Sequence, residues 1–136
     1  MTQIEESAAD AAVTTVVIPA VTLTLAPGEV YAGYLLGKDG EPGHHMILLP
    51  GEVSMPWEKA MEWAASIGGD LPTRREQSLL YANVSENFKR DWYWSNTQYA
   101  GYSGYAWRQD FYDGGQDFYR EGNEFRARAV RRIPAQ

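Results

Sequence analysis

The sequence contains no cysteine and only two histidines. The lack of cysteine excludes disulfides, thiolate metal sites and a cysteine nucleophile, and it fits assembly in a reducing compartment. The histidines, His44 and His45, are adjacent, so on a strand they point to opposite faces, and no second cluster can complete a metal site with them. We therefore predict no metal and no cofactor, and we interpret both histidines as surface residues at the edge of a strand.

Long apolar runs and a basic leader are also missing. No stretch approaches the ~18 apolar residues that a membrane-spanning helix needs. Residues 1–12 carry Glu5, Glu6 and Asp10 and no basic residue, which predicts a flexible tail and not a secretory signal. We expect no membrane association, and a location in the cytoplasm of the producing cell or on a virion.

Positive charge is scarce, since 12 Lys and Arg face 18 Asp and Glu, for a formal net charge of −6. Residues 1–91 hold 6 basic against 13 acidic residues, a net charge of −7, whereas residues 92–136 hold 6 against 5, a net charge of +1. A nucleic-acid interface needs a broad basic face. We therefore expect no nucleic-acid partner.

The 136 residues, 44% of them hydrophobic, are enough for one domain with its own core. We predict a single α+β domain over residues 13–136. Residues 13–18 and 21–25 are rich in β-branched side chains with partial alternation, which predicts two short strands separated by Pro19. They belong to an N-terminal β segment predicted over residues 13–36.

The next segment predicts a hairpin. Residues 29–36 and 45–49 are strand-like and flank residues 37–43, whose Asp-Gly and Pro-Gly pairs are typical of turns. The hydrophobic period then changes to that of a helix.

Two helices are predicted in the middle of the chain. Apolar residues recur at helical spacing over residues 57–67, and Gly68 and Gly69 end that helix. Thr73 and Glu76 then form the sequence pattern of a capping box, which begins a second helix that runs to about Ala82.

Residues 92–125 contain 12 of the 18 aromatic residues and no leucine, isoleucine or valine. A sheet core normally uses branched aliphatic side chains as well, and a mixture of Tyr, Gly, Ser, Asn and Asp is typical of binding loops. The segment therefore predicts a recognition surface. The alternative, packing in a loop-rich core, stays open for four of the larger rings: Trp92, Trp94, Trp107 and Phe111.

Eight residues of this segment are predicted to contact a ligand. They are Asn96, Tyr99, Tyr102, Tyr105, Trp107, Tyr112, Asp113 and Tyr119.

Residues 125–133 predict one closing strand that carries four arginines. Alternation places Arg126 and Arg128 on one face and Arg131 on the other, so at least one guanidinium points inward and needs a partner. Acids close in sequence are the predicted partners: Asp110, Asp113, Asp117, Glu121 and Glu124. We favour this scaffold pairing over a ligand-binding role.

Five segments between residues 45 and 131 carry a family resemblance: residues 45–52, 57–69, 71–76, 92–97 and 126–131. They include a Leu-Pro-Thr-Arg helix start, a Tyr-Trp-Ser segment and a closing Arg-Ala-Val-Arg. In this order they resemble the C-type-lectin-like fold, in the branch of the Legionella collagen-like (Lcl) C-terminal domains and many phage and prophage proteins. The chain is similar, more distantly, to formylglycine-generating enzymes.

The resemblance implies two helices packed on a twisted antiparallel sheet with long loops, and a scaffold for binding. It does not imply formylglycine chemistry, which uses a cysteine pair with copper. Residues 41–43 and 94–96 match the calcium-binding segments of lectins in outline but lack the required oxygen ligands. Sulfated polysaccharides, which Lcl-type domains bind, would need clustered cations that a net charge of −6 does not favour.

The expected function is noncatalytic recognition of a protein or cell-surface glycan, as in a phage or prophage receptor-binding or variable protein. A nucleophile elbow and an isolated carboxylate pair are both missing, so we do not expect an enzyme. Residues 94–125 also suit the variable region of a diversity-generating retroelement. Two alternatives stay open: an intracellular inhibitor or regulator of a host protein, and a structural tail or fibre subunit that forms a homo-oligomer through residues 13–25.

Overall fold

The computed structural model describes residues 12–18 and 20–135. Within them, eight strands form two sheets, and two helices of ten and eleven residues lie between the third and fourth strands. The α+β class predicted from the sequence is confirmed. The flexible tail predicted for residues 1–12 lies outside the described residues, except for Ala12.

The first sheet contains three strands in the order β1-β2-β8: β1 (Val30–Leu35), β2 (His44–Leu48) and β8 (Val130–Pro134). Antiparallel pairing of β1 with β2 confirms the predicted hairpin. Because β2 is the central strand, His44 and His45 do not lie at a strand edge, and that part of the prediction is wrong.

The second sheet has five strands in the order β3-β7-β4-β5-β6. Their bounds are β3 (Val53–Met55), β4 (Trp92–Gln98), β5 (Tyr105–Asp110), β6 (Gln116–Arg120) and β7 (Phe125–Ala127). One contact, between β4 and β7, is parallel, and the other pairings are antiparallel. The helices therefore pack on two sheets, where the sequence predicted one antiparallel sheet.

The closing strand predicted over residues 125–133 is two strands. β7 pairs in the five-stranded sheet and β8 in the three-stranded sheet, with Arg128 and Ala129 between them. Alternation of side chains cannot distinguish one long strand from two that change sheets, because both keep the same period.

The predicted N-terminal strands are also wrong. Residues 13–18 and 20–29 join no strand among the described residues, and the side chains of Val16 and Ile18 are 78% and 87% exposed. Their β-branched composition favours a strand, but a strand needs a partner for its backbone N–H and C=O groups. The described chain supplies none.

Both predicted helices are confirmed: α1 (Trp57–Ser66) and α2 (Arg74–Val84), the second followed by a 3₁₀ turn, Ser85–Asn87. At the start of α2 the Glu76 backbone N–H donates to Thr73 Oγ1 at 3.1 Å, and the Thr73 backbone N–H donates to Glu76 Oε1 at 2.8 Å. These reciprocal bonds are the capping box that the sequence predicted.

Replacing Thr73 by alanine is expected to lower the free energy of unfolding by about 1 kcal/mol, because one backbone N–H of α2 loses its acceptor. Urea denaturation followed by circular dichroism measures the effect. Ser78→Ala, at an exposed position of the same helix, is the control and should change stability by less than about 0.5 kcal/mol. Equal stabilities of parent and Thr73→Ala would contradict the role of this cap.

Two apolar clusters make up the core. The first lies between α2 and both sheets: Ala32, Met46, Leu48, Leu80, Val84, Phe88, Tyr93, Phe111 and Val130. The second lies between α1 and the five-stranded sheet: Leu49, Trp57, Ala60, Ala64, Leu71, Trp94, Ala106, Ala127 and Ala129. Of the four rings left open by the sequence, Trp94 and Phe111 are therefore core residues, and Trp92 and Trp107 are half-buried.

Candidate functional site

Five aromatic side chains lie together at one end of the five-stranded sheet. They come from the β4–β5 loop, from β5 and from β6, and we call them the aromatic face: Tyr99, Tyr102, Tyr105, Trp107 and Phe118. The register pairs Trp107 with Phe118, which places these two rings on the same side of the sheet. Neither core cluster includes any of the five.

The rings of the aromatic face hold one another by direct contact. Tyr99 stacks on Phe118 with 3.8 Å between ring centroids, and Trp107 meets both edge-on at 5.5 Å. Tyr102 lies 6.0 Å from Tyr99 and 5.7 Å from Tyr105. Such offset and edge-on pairs stabilise the arrangement beyond simple burial.

Helix α2 covers the same side of the sheet next to the aromatic face. The guanidinium carbon of Arg74, the first residue of α2, lies over the Trp107 ring at 3.4 Å from the centroid, and Arg74 Nε donates to Gln116 Oε1. Two further hydrogen bonds connect helix to sheet: Gln109 Nε2 donates to the Gln77 carbonyl, and Gln116 Nε2 donates to the Arg74 carbonyl. This network fixes the position of Arg74 and therefore of Trp107.

The aromatic face is open to solvent. Tyr102 is 63% exposed, and Tyr99, Tyr105, Trp107 and Phe118 are half-buried. Partial burial against neighbouring rings, with one edge left in water, is the state in which aromatic side chains can still gain by binding.

Arginines without an acidic partner among the described residues lie at the aromatic face and in the groove beside it. Five of the basic residues that the structure describes form ion pairs with acids: Lys89, Arg108, Arg126, Arg131 and Arg132. Arg74, Arg75 and Arg120 are not among them; Arg75 donates to the Leu36 carbonyl and Arg120 Nε to the Tyr105 hydroxyl. In an acidic protein, this face thus has cations that no described carboxylate neutralises.

A groove of about 620 Å³ adjoins the aromatic face. It lies between the β1–β2 loop and the start of α2, and Arg74 lines its wall and also contacts Trp107 of the aromatic face. Lys38 and Arg75 add cations to the wall, Asp39 and Glu41 add carboxylates, and His44 and Arg132 line it as well. The groove and the aromatic face therefore form one continuous surface.

Four of the eight predicted ligand residues belong to the aromatic face: Tyr99, Tyr102, Tyr105 and Trp107. The other four lie elsewhere. Asn96 is half-buried and donates to Asp70 Oδ2, at 3.1 Å. Tyr112 and Asp113 are exposed in the β5–β6 turn, at the other end of β5, where Asp113 accepts from the Gly115 N–H.

Tyr119, the last of the eight, lies on the opposite side of the sheet. There Arg108 is buried among three rings, 3.8 Å from the Trp92 centroid, 4.5 Å from Tyr119 and 4.6 Å from Phe125, and it pairs with Asp117 at 2.8 Å. The enclosed guanidinium stabilises the sheet and leaves only part of the Tyr119 ring exposed.

Sequence reasoning missed Phe118 and Arg74 as members of this surface. The signal for Phe118 was present, since it lies among the tyrosines of residues 92–125, but its pairing with Trp107 depends on the β5–β6 register. Arg74 lies 33 residues before Trp107 in the sequence, so only the packing of α2 on the sheet brings them together.

The predicted partners of the closing arginines are wrong. Arg126 pairs with Asp91 and Glu52, Arg131 with Glu29, and Arg132 with Asp70 and Glu76. Arg128 donates to the carbonyls of Asn87 and Leu49. Of the five acids predicted, Asp117 alone pairs with an arginine among the described residues, and that arginine is Arg108. The scaffold role favoured for these arginines agrees with these contacts.

The buried carboxylate of Glu76 lies at the floor of the groove. It accepts hydrogen bonds from Arg132 Nε at 2.7 Å and from Arg132 Nη2 at 2.8 Å. His44 Nε2 lies 2.6 Å from the same carboxylate. Burial by itself would raise the pKa of Glu76, but the hydrogen bonds from Arg132, the Thr73 N–H and His44, with the charge of Arg132, lower it. Glu76 is therefore ionised and anchors β8 to α2.

Among residues 12–18 and 20–135, no group of three or more His, Asp or Glu side chains is placed so that it could hold a metal ion. Among the same residues, no helix has the length and apolar character needed to cross a membrane.

A scan against protein-family models and a search of curated proteins both returned no match to this chain.

Proposed function

We propose that this chain is a noncatalytic binding protein of phage or prophage type, whose aromatic face contacts a protein or cell-surface glycan of the host. The observation that carries the proposal is the set of five rings on one side of the sheet, outside both core clusters. Because neighbouring rings already restrain one another, they lose little side-chain entropy when a partner binds.

The charges around the aromatic face define the chemistry of the partner. Arg74, Arg75 and Arg120 have no acidic partner among the described residues, so a ligand carboxylate or similar anion would find free N–H donors beside an apolar surface. We propose a partner that combines anionic groups with exposed apolar groups, and binding that weakens as salt is raised.

We further propose that the scaffold is C-type-lectin-like. Support comes from the α+β class, from the two helices and from the order of the elements. The resembling segments occupy β2, α1, the capped start of α2, β4 and the β7–β8 region. These are the framework elements around the aromatic face.

We also propose, as a hypothesis, that residues 94–125 are the variable region of a diversity-generating retroelement. Several residues in that range are buried, including Trp94, Ala106 and Gln109. Under this hypothesis diversity would concentrate at exposed positions such as Tyr102. An intracellular inhibitor of a host protein would use the same surface and differ only in its partner.

The test is a comparison of tyrosine-to-serine variants. Tyr102→Ser and Tyr105→Ser are expected to leave unfolding cooperative and to weaken partner binding by about 2 kcal/mol at the most central ring, as removal of an interface anchor does. Tyr112→Ser is the matched control, because Tyr112 is equally exposed but lies at the other end of β5. Its binding should equal that of the parent.

Binding is measured first as recovery of host surface extract and of immobilised glycans, and then as affinity for the component recovered. Melting temperatures of all variants are measured in parallel. If Tyr102→Ser and Tyr105→Ser bind like the parent, or if Tyr112→Ser loses binding to the same extent, the aromatic face is not the recognition surface. Unfolding of Tyr102→Ser would show that this ring is scaffold.

A further inference from the structure

The groove beside the aromatic face contains charged side chains that the fold does not use. At its floor, Glu76 pairs with Arg132 and His44. Five further charged residues line the groove and form no ion pair with any described residue: Lys38, Asp39, Glu41, Arg74 and Arg75. Charges of both signs are therefore available to a ligand in this groove.

The unpaired charges are divided between two walls. The helix wall, at the start of α2, holds Arg74 and Arg75; these two arginines give it a formal charge of +2, since Arg132 balances Glu76 at the floor. The loop wall, residues 37–42, holds two carboxylates and one ammonium group, which give it a formal charge of −1. Walls of opposite sign complement a ligand that carries an anion and a cation close together.

The helix wall has a fixed geometry. The guanidinium of Arg74 lies over the Trp107 ring, and its Nε donates to Gln116 Oε1, which leaves its two Nη groups without an acceptor among the described residues. Arg75 Nη2 donates to the Leu36 carbonyl at 3.3 Å and connects this wall to the end of β1. Donors that are held in place before binding lose little entropy when a ligand arrives.

The loop wall is also fixed, by a tight turn. Asp39 and Gly40 have φ of 55° and 83°, and the Glu41 N–H donates to the Lys38 carbonyl at 3.0 Å, as in a type I′ turn. A Cβ on Gly37 would overlap the Glu41 carbonyl oxygen, so the close approach of the chain to itself requires glycine there. The backbone that carries both loop carboxylates is therefore restrained.

We infer that the groove and the aromatic face together bind an extended peptide segment of a partner protein, in which an acidic side chain lies between an apolar one and a basic one. The order follows from Arg74, which contacts Trp107 of the aromatic face and also lines the groove. The apolar side chain lies on the aromatic face, the acidic one meets the helix wall, and the basic one meets the loop wall. The inference rests on the proposed function, because the groove continues the aromatic face.

The charges and the openness of the groove favour a peptide over other ligands. A small-molecule pocket encloses most of its ligand, whereas the loop wall here is exposed, which suits a chain that runs along it. Polypeptides carry apolar, acidic and basic side chains close together. An acidic glycan supplies the anion without the cation that the loop wall would bind, so charge complementarity favours a protein partner.

NMR titration of the isotope-labelled protein with short capped peptides tests the inference. The probe peptide carries tryptophan, glutamate and lysine in that order, separated by single glycines. Replacing its lysine by glutamine is expected to weaken binding about threefold, the contribution of an exposed ion pair. Exchanging its glutamate and lysine should weaken binding further, because each charge then faces a wall of its own sign. The largest shift changes should fall in residues 36–42, 74–75 and 99–107.

A protein variant without the loop carboxylates identifies the wall that reads the basic side chain. Asp39→Asn with Glu41→Gln should bind the lysine and glutamine peptides equally; asparagine suits position 39 because it tolerates positive φ. The matched control, Glu58→Gln with Glu62→Gln at exposed positions of α1, should keep the threefold preference. A loop variant that keeps this preference overturns the inference.

Three further outcomes would overturn it. The first is the absence of shift changes with the probe peptide at millimolar concentration. The second is binding that is unchanged when glycine replaces the tryptophan of the probe, since the aromatic face would then take no part. The third is binding of an oligogalacturonate at the same residues in place of the peptide, which would identify a glycan. The tyrosine-to-serine variants test the proposed function separately, by recovery of host components, so the two can fail independently.

Discussion

Replacing Trp94 by alanine is expected to lower the free energy of unfolding by about 3–5 kcal/mol, the range for removing a large buried ring. Trp94 is completely buried in the cluster between α1 and the five-stranded sheet. Its Nε1 donates to the Met55 carbonyl at 3.0 Å, and its ring meets Phe125 edge-on at 5.0 Å. The substitution leaves a cavity and an unpaired carbonyl, and both effects destabilise the fold.

Urea denaturation of the parent and of two variants measures the difference. Tyr102→Ala is the comparison within the same aromatic-rich segment; because Tyr102 is 63% exposed, its loss should cost less than about 1 kcal/mol. If Trp94→Ala reduces stability too far for a native baseline, Trp94→Phe is measured, with a smaller expected loss. Similar losses for Trp94→Ala and Tyr102→Ala would contradict the division of this segment into core and surface.

Replacing Glu76 by glutamine is expected to cost about 3 kcal/mol at neutral pH, because Arg132 then keeps its charge without its main partner. The value lies at the low end of the range for broken buried pairs, since Arg132 is 30% exposed and retains Asp70. Glu62→Gln, at an exposed position of α1, is the control and should change stability by less than about 0.5 kcal/mol.

The pH dependence gives a second measure of the same interaction. The folded pKa of Glu76 lies below its ordinary value of 4.5, because the bonds from Arg132, Thr73 and His44 outweigh burial. The stability that Glu76 contributes is therefore present above pH 4.5 and is lost as the pH falls through the lowered folded pKa.

Stability measured from pH 7 downwards should therefore fall less steeply in acid for Glu76→Gln than for the parent. Glu29, whose pKa the Arg131 side-chain hydrogen bond lowers, keeps part of the acid sensitivity in both proteins. Parallel acid curves for parent and variant would mean that Glu76 does not contribute through its charge.

Features that depend on neighbours in sequence were determined by the sequence alone. The Thr73 and Glu76 pair specifies the start of α2 because its two bonds join residues three apart. The helical period of residues 57–67 specifies α1, and the glycines and proline of residues 37–43 specify the hairpin. Composition also predicts a recognition surface within residues 92–125, and this stays a prediction.

Pairings between distant residues were decided only by the tertiary structure. Glu29 and Arg131 lie 102 residues apart, and Glu52 and Arg126 lie 74 apart, so acids close in sequence were the wrong partners. Arg74 reaches Trp107 only because α2 packs on β5. Such contacts depend on the path of the chain in three dimensions, and local sequence patterns carry no information about that path.

The tertiary structure also decided which aromatic residues are buried. Trp94 and Trp107 lie in one segment of similar composition, yet the first is buried against α1 and the second borders solvent under Arg74. The N-terminal segment shows the converse: its residues have strand composition, but a strand also requires a partner for its backbone. Local preference determines which elements are available, and only their packing decides which of them form and which faces remain exposed.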